Sequence, residues 1–97
     1  MDELAKLQAW YHDQCDGHWE HAWGVEIGTL DNPGWRLRIN LAETHLAGVP
    51  HGRREVAASE LEWMHCWVEG DVFHAAGGPH MLRAMLQEFF AWAEQHE

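Results

Sequence analysis

Basic residues are scarce in this 97-residue chain: six Lys plus Arg stand against sixteen Asp plus Glu, a formal charge of −10. That balance repels nucleic acid and anionic membranes and favours a basic partner. Cysteine is scarcer still. Cys15 and Cys66 are too few for a disulfide scaffold and lack the paired spacing of a zinc ribbon or a CxxC redox motif, so reduced thiols and a cytoplasmic location are expected. No apolar run approaches the roughly 18 residues of a membrane span, and the N-terminus MDELAKLQAWYHD carries acids where a signal peptide would be basic. A soluble protein follows. Repeats, linkers and low-complexity segments are missing, as are P-loop and GxGxxG patterns.

What is present is aromatic and apolar. Seven tryptophans and a 46% apolar content furnish a core without disulfides, since each tryptophan can bury roughly 150 to 250 Å². The length suits one domain spanning residues 1–97. Charge is unevenly spread. Residues 32–54 hold Arg36, Arg38, Arg53 and Arg54 against the single acid Glu43, about +3, while the flanks carry −6 and −7. Nine histidines would bring the formal charge close to −1 if all were protonated, so solubility should fall in mild acid.

Leu4, Leu7, Trp10 and Tyr11 recur at helical spacing, predicting an amphipathic helix from Asp2 to about Gln14 that stops at Asp16-Gly17. Trp19, His21, Trp23, Val25 and Ile27 then alternate as in a strand, and Trp35, Leu37, Ile39 and Leu41 alternate after the turn residues Asp31-Asn32-Pro33-Gly34. The pair reads as a hairpin with Ile27 opposite Ile39 and Val25 opposite Leu41. That register needs an odd loop, Asn32-Pro33-Gly34, with Gly34 at positive φ, and places Glu26 diagonally from Arg38.

Residues 42–52 have no period and read as a loop; a short strand follows near Arg53 to Ala58. Leu61 to Glu69 is apolar on both faces, as in a central strand, and Val72 to Ala76 returns after Glu69-Gly70-Asp71. Leu82, Met85, Leu86, Phe89, Phe90, Trp92 and Ala93 stripe a helix from Pro79 to about Gln95. The expected fold is α+β: an N-terminal helix, an antiparallel sheet of four to five strands and a C-terminal helix, with helices packed on one sheet face.

The stretch QCDGHWEHAWG at residues 14–24 invites a chemical reading. Cys15, His18 and His21, with His12, are competent zinc ligands, so a small metal-binding domain or metal-dependent enzyme is one alternative. On a strand, however, His18 and His21 point to opposite faces, and unligated histidines fit better. Glu20 and His21, as adjacent strand residues, cannot jointly serve one substrate. Cys66 lies in an apolar run that raises its pKa, and Cys15 sits at a helix C-terminus with the wrong dipole sign for a thiolate. No enzyme signature and no cofactor site emerges.

The remaining signal is acidic surface. Glu60, Glu62, Glu69 and Asp71 cluster around one strand and its turn, and Asp13, Asp16, Glu20 and Glu26 crowd the other side of the chain. Such a surface suits steered capture of a basic protein, for example a nuclease. Glu20, Glu26, Glu60, Glu62, Glu69 and Asp71 are therefore the candidate contact residues.

Trp10-Tyr11, Gln14-Cys15-Asp16-Gly17, Trp19-Glu20-His21, Gly24, Leu30-Asp31-Asn32-Pro33-Gly34-Trp35, Cys66, Val68-Glu69 and Gly77-Gly78-Pro79 resemble the immunity protein 53 family of bacterial polymorphic toxin systems. The resemblance runs from about Leu7 to Trp92. It implies a small cytoplasmic protein that binds and neutralises a cognate toxin, without catalytic residues or a cofactor. His18 occupies the variable slot of CDGxWEH, so a zinc site using it would not be a family property. Trp23 stands where the pattern leads one to expect tyrosine.

Overall fold

Asp2 begins the first helix by accepting the Ala5 N–H at 2.8 Å, which satisfies one of the helix's free donors. The helix, α1, runs Glu3–Gln14, and Gly17 at φ 91° turns the chain away from it. In the computed structural model, which describes residues 2–96, seven further elements follow. They are α2 (Trp19–Ala22), β1 (Val25–Leu30), β2 (Gly34–Asn40), β3 (Arg54–Ala57), β4 (Trp63–Glu69), β5 (Val72–Gly77) and α3 (Leu82–Glu94). The five strands form one antiparallel sheet in the order β1-β2-β5-β4-β3. This is the expected α+β arrangement.

One face of the sheet is covered. Leu37, Ile39, Met64, Cys66, Phe73 and Ala75 are buried there beneath Met85, Phe89 and the rest of the α3 stripe. Phe89 sits at the centre, with ring centroids 5.3 Å from Trp10, 5.1 Å from Phe73 and 5.1 Å from Phe90. These near-perpendicular contacts tie α1 and α3 to the central strand.

Residues 42–52 form the expected loop, yet it is firmly held. Leu46 is fully buried, Gly48 N–H donates to the Asp71 carboxylate at 3.1 Å, and Trp92 Nε1 donates to the Pro50 carbonyl at 3.0 Å. His51 packs between Phe73 and Trp92, and its Nε2 lies 3.2 Å from Glu88 Oε2. Glu88 also meets Arg54 at 3.2 Å, so one carboxylate of α3 joins the loop to β3.

Four expectations change. Trp19 to Trp23 is no strand: Asp16 Oδ1 accepts the N–H groups of His18 (2.9 Å) and Trp19 (2.8 Å), while Glu20 reaches back to the N–H groups of Asp16 and Gly17. These local bonds favour a helical turn over a ladder. Gly34 is not at positive φ. It is glycine because a Cβ there would collide with the Gly77 carbonyl. Gly34 pairs with Leu30 inside the ladder, so the three-residue loop is Asp31-Asn32-Pro33 and the register moves by two: Ile27 faces Leu37 and Val25 faces Ile39. The shift is even, so every side chain keeps its face. It also sets Glu26 directly across from Arg38, at 3.6 Å. Finally, α3 starts at Leu82 and not at Pro79, whose carbonyl accepts the Trp35 indole at 2.9 Å within a preceding turn.

Candidate functional site

Strand β4 sends Met64 and Cys66 into the core and the alternate residues Trp63, His65 and Trp67 to the opposite face, where they are only half buried. No element from the described residues covers that face. The ladders place its side chains in rows. One row runs Glu26, Arg38, His74, Trp67 across β1, β2, β5 and β4. The next runs Gly28, Arg36, Ala76, His65, Glu55.

Within the rows the rings are ordered. Trp67 stacks on His74 with centroids 5.1 Å apart and planes 9° from parallel, and the Arg53 guanidinium lies 5.0 Å from the Trp67 ring. Trp63 meets His65 edge-on at 5.6 Å. Rigid aromatic and arginine side chains of this kind supply most of the energy in protein interfaces.

Four of the six candidate acids flank this strip, Glu26 lies in its row at the β1 edge, and Glu20 sits apart on α2, whose Trp19 packs on Trp10 of α1. Glu60 and Glu62 lie in the turn between β3 and β4, and Glu69 and Asp71 lie at the far end of β4. Seven strand residues separate the two groups by about 20 Å, so the four acids mark two ends of the aromatic strip and form no single cluster. Glu60, Glu62 and Glu69 are exposed and make no ion pair among the described residues.

The other three acids have partners inside the protein. Asp71 bonds Gly48, and Glu26 pairs with Arg38. Glu20 is held below its ordinary value chiefly by its own backbone N–H; desolvation opposes this, and the N–H groups of Asp16 and Gly17 lower it further. Asp16 is lowered likewise, first by the Trp19 N–H and then by that of His18.

The potential ligands Cys15, His18 and His21 are not brought together. Cys15 Sγ donates to the Tyr11 carbonyl at 3.3 Å and His18 Nε2 meets Glu43 Oε2 at 3.2 Å. His21 is exposed on α2. Among the described residues no group of three or more His, Cys, Asp or Glu is arranged to hold a metal ion. Cys66 is fully buried, and its thiol is pushed up to about 12 by burial, with Glu88 adding and Arg54 opposing. A thiol so raised is a poor nucleophile.

The half-exposed rings of Trp63, His65, Trp67 and His74 were not anticipated as a surface. The two-sided apolar pattern of β4 marks an interior strand, which it is, between β5 and β3, but it does not say which side chains lie on the face left open by helices packed on one side. The interleaved histidines were the available signal, since a strand buried on both faces seldom carries them.

No helix among the described residues is long and apolar enough to cross a membrane. A family model described as Immunity protein 53 matches residues 4–94, nearly the whole chain. No curated protein and no solved structure matches it significantly.

Proposed function

Since the chain belongs to the immunity protein 53 family, we propose that it neutralises a cognate bacterial toxin in the cytoplasm by forming a stoichiometric complex. The toxin surface it meets is basic, as on a nuclease. Trp63, His65 and Trp67 form the floor of the contact, with Glu60 and Glu62 at one end and Glu69 and Asp71 at the other; Glu20 and Glu26 lie further out. The observation that carries this reading is the uncovered aromatic strip with an acidic turn at each end. Acidic ends speed encounter with a basic surface, and the ring-lined floor supplies area that releases slowly once dry. Inhibition by binding needs neither a catalytic residue nor a cofactor from this chain.

The test is stopped-flow association with the inactivated toxin domain encoded beside this chain. Reversing charge at Glu60, Glu62, Glu69 and Asp71 together should slow association at least tenfold at low salt and flatten its salt dependence. Because Asp71 also holds Gly48, the Glu60, Glu62 and Glu69 triple variant is measured beside it. Unaltered association kinetics in both would remove these acids from the interface.

A further inference from the structure

The two edges of the sheet differ in what they offer a new strand. Edge β3 is four residues long and tied up by charge: Arg53 binds Glu55 at 2.9 Å and Arg54 binds Glu88 at 3.2 Å. Short, charged edges resist pairing. Edge β1, VEIGTL, has six residues with no proline or lysine.

The direction of its free backbone groups follows from one bond. Asn40 N–H donates to the Gly24 carbonyl at 3.0 Å, so the 24/40 pair is hydrogen-bonded. By antiparallel alternation Glu26, Gly28 and Leu30 turn their backbone groups toward β2, and Val25, Ile27 and Thr29 turn theirs outward. Three N–H and three C=O groups therefore face away from the sheet along one edge.

Beside that edge runs an apolar groove of about 430 Å³ lined by Leu7, Gln8, Tyr11, Trp23, Gly24 and Val25. Large apolar side chains are exposed chiefly here. Tyr11 is 41%, Trp23 40% and Ile27 43% exposed, and Leu4, one helical turn before Gln8 on α1, is 62% exposed. No Lys or Arg lines the groove. The charged group touching Trp23 is the Glu43 carboxylate, 2.7 Å from its Nε1, and Asp31 follows the far end of β1. Arg36 lies against Gly28 on the opposite face of the sheet.

We propose that β1 and this groove receive an extended segment of the partner protein as a sixth strand, with alternating apolar and uncharged polar residues and a basic residue at each end. Its backbone pairs with Val25, Ile27 and Thr29. Its apolar side chains enter the groove between α1 and β1, its uncharged polar side chains lie on the face that carries Glu26, Arg36 and Arg38, and its terminal basic residues meet Glu43 at one end and Asp31 at the other. A second copy of the chain fits less well, because pairing β1 with β1 would bring together two chains of formal charge −10. The proposal rests on the toxin-binding reading for the identity of the partner, but not for the chemistry of the site.

The test is an NMR titration of the whole chain with an eight-residue peptide of alternating valine and threonine that carries lysine at both ends, against the same peptide with glutamate at both ends. Binding should slow hydrogen exchange of the Val25, Ile27 and Thr29 amides at least tenfold at saturation and shift the Trp23 indole signal; the control should do neither. Ile27→Pro deletes one outward donor while leaving the inward ladder, and should weaken binding at least tenfold. Trp23→Ala, which opens the groove without touching the ladder, should do the same, with circular dichroism reporting that both variants fold. Signals perturbed only at β3 or the open face, no perturbation, or equal binding of the control would overturn the proposal. Protection of the three amides that grows with protein concentration alone would assign the edge to a second copy instead. As the probe is a peptide, failure of the chain to protect cells from the neighbouring toxin would count against the immunity reading and leave this result standing.

Discussion

The two faces of the sheet are built from the same strands, but only one of them is covered. On the covered face Leu37, Ile39, Cys66, Phe73 and Ala75 are at most 1% exposed beneath α3. On the open face Trp67 and His74, one residue along from Cys66 and Phe73, stack on each other half exposed. A stable domain needs only one dry face. The second holds large aromatic side chains left half exposed, and if they are the proposed contact surface the difference between the faces should appear as a separation of stability from binding.

The sharpest way to break that comparison is a pair of truncations. Phe89→Ala, at the centre of the covered side, should destabilise the fold by about 3–5 kcal/mol, read by urea unfolding. Trp67→Ala should cost about 1 kcal/mol or less while weakening toxin binding at least tenfold. Comparable stability losses from both would mean that the faces are not distinct. Smaller is the expected effect of Glu88→Ala, which strips His51 and Arg54 of their shared carboxylate; about 1–3 kcal/mol should be lost with toxin affinity unchanged. A stability equal to wild type would show that the loop at residues 42–52 is held without Glu88, by Leu46, the Gly48–Asp71 bond and Trp92.

Cysteine chemistry sharpens the contrast between inside and outside. Native protein treated with iodoacetamide near pH 8 should be modified at half-exposed Cys15 and not at Cys66, whose buried thiol is raised to about 12. Mass spectrometry showing rapid modification of Cys66 would mean that the covered face opens readily. The smallest effect concerns Asp16 and Glu20. Both are lowered in the folded state, so their contribution is present above the unfolded carboxylate range and is lost as pH falls through the lowered folded values. The Asp16→Asn, Glu20→Gln double variant should therefore show a flatter fall in stability on acidification than wild type; an unchanged acid limb would contradict the bonding of this turn.

Much of this architecture is legible in residue spacing. The alternation Trp35, Leu37, Ile39 and the stripe Met85, Phe89, Trp92 each define one buried face, and parity alone kept the hairpin's faces correct although its register was two residues off. Three features resisted. Trp19, His21 and Trp23 alternate like a strand, but side-chain bonds from Asp16 and Glu20 to nearby backbone win locally. The His51–Glu88 contact joins residues 37 apart, which no local pattern signals. Which face of β4 the helices cover depends on where α1 and α3 pack, so Trp63 and Trp67 were visible as residues but not as a surface. The acids Glu60, Glu62 and Glu69 were legible by charge alone, while their separation to the two ends of β4 required the fold.

The most direct test of the account is isothermal titration of the inactivated toxin domain encoded beside this chain into wild-type protein and into the Trp63→Ala, Trp67→Ala double variant. The account predicts a 1:1 complex with wild type and binding at least a hundredfold weaker with the variant, whose circular dichroism stays that of the folded protein. Equal affinity for a folded double variant would contradict it and place the toxin on another surface.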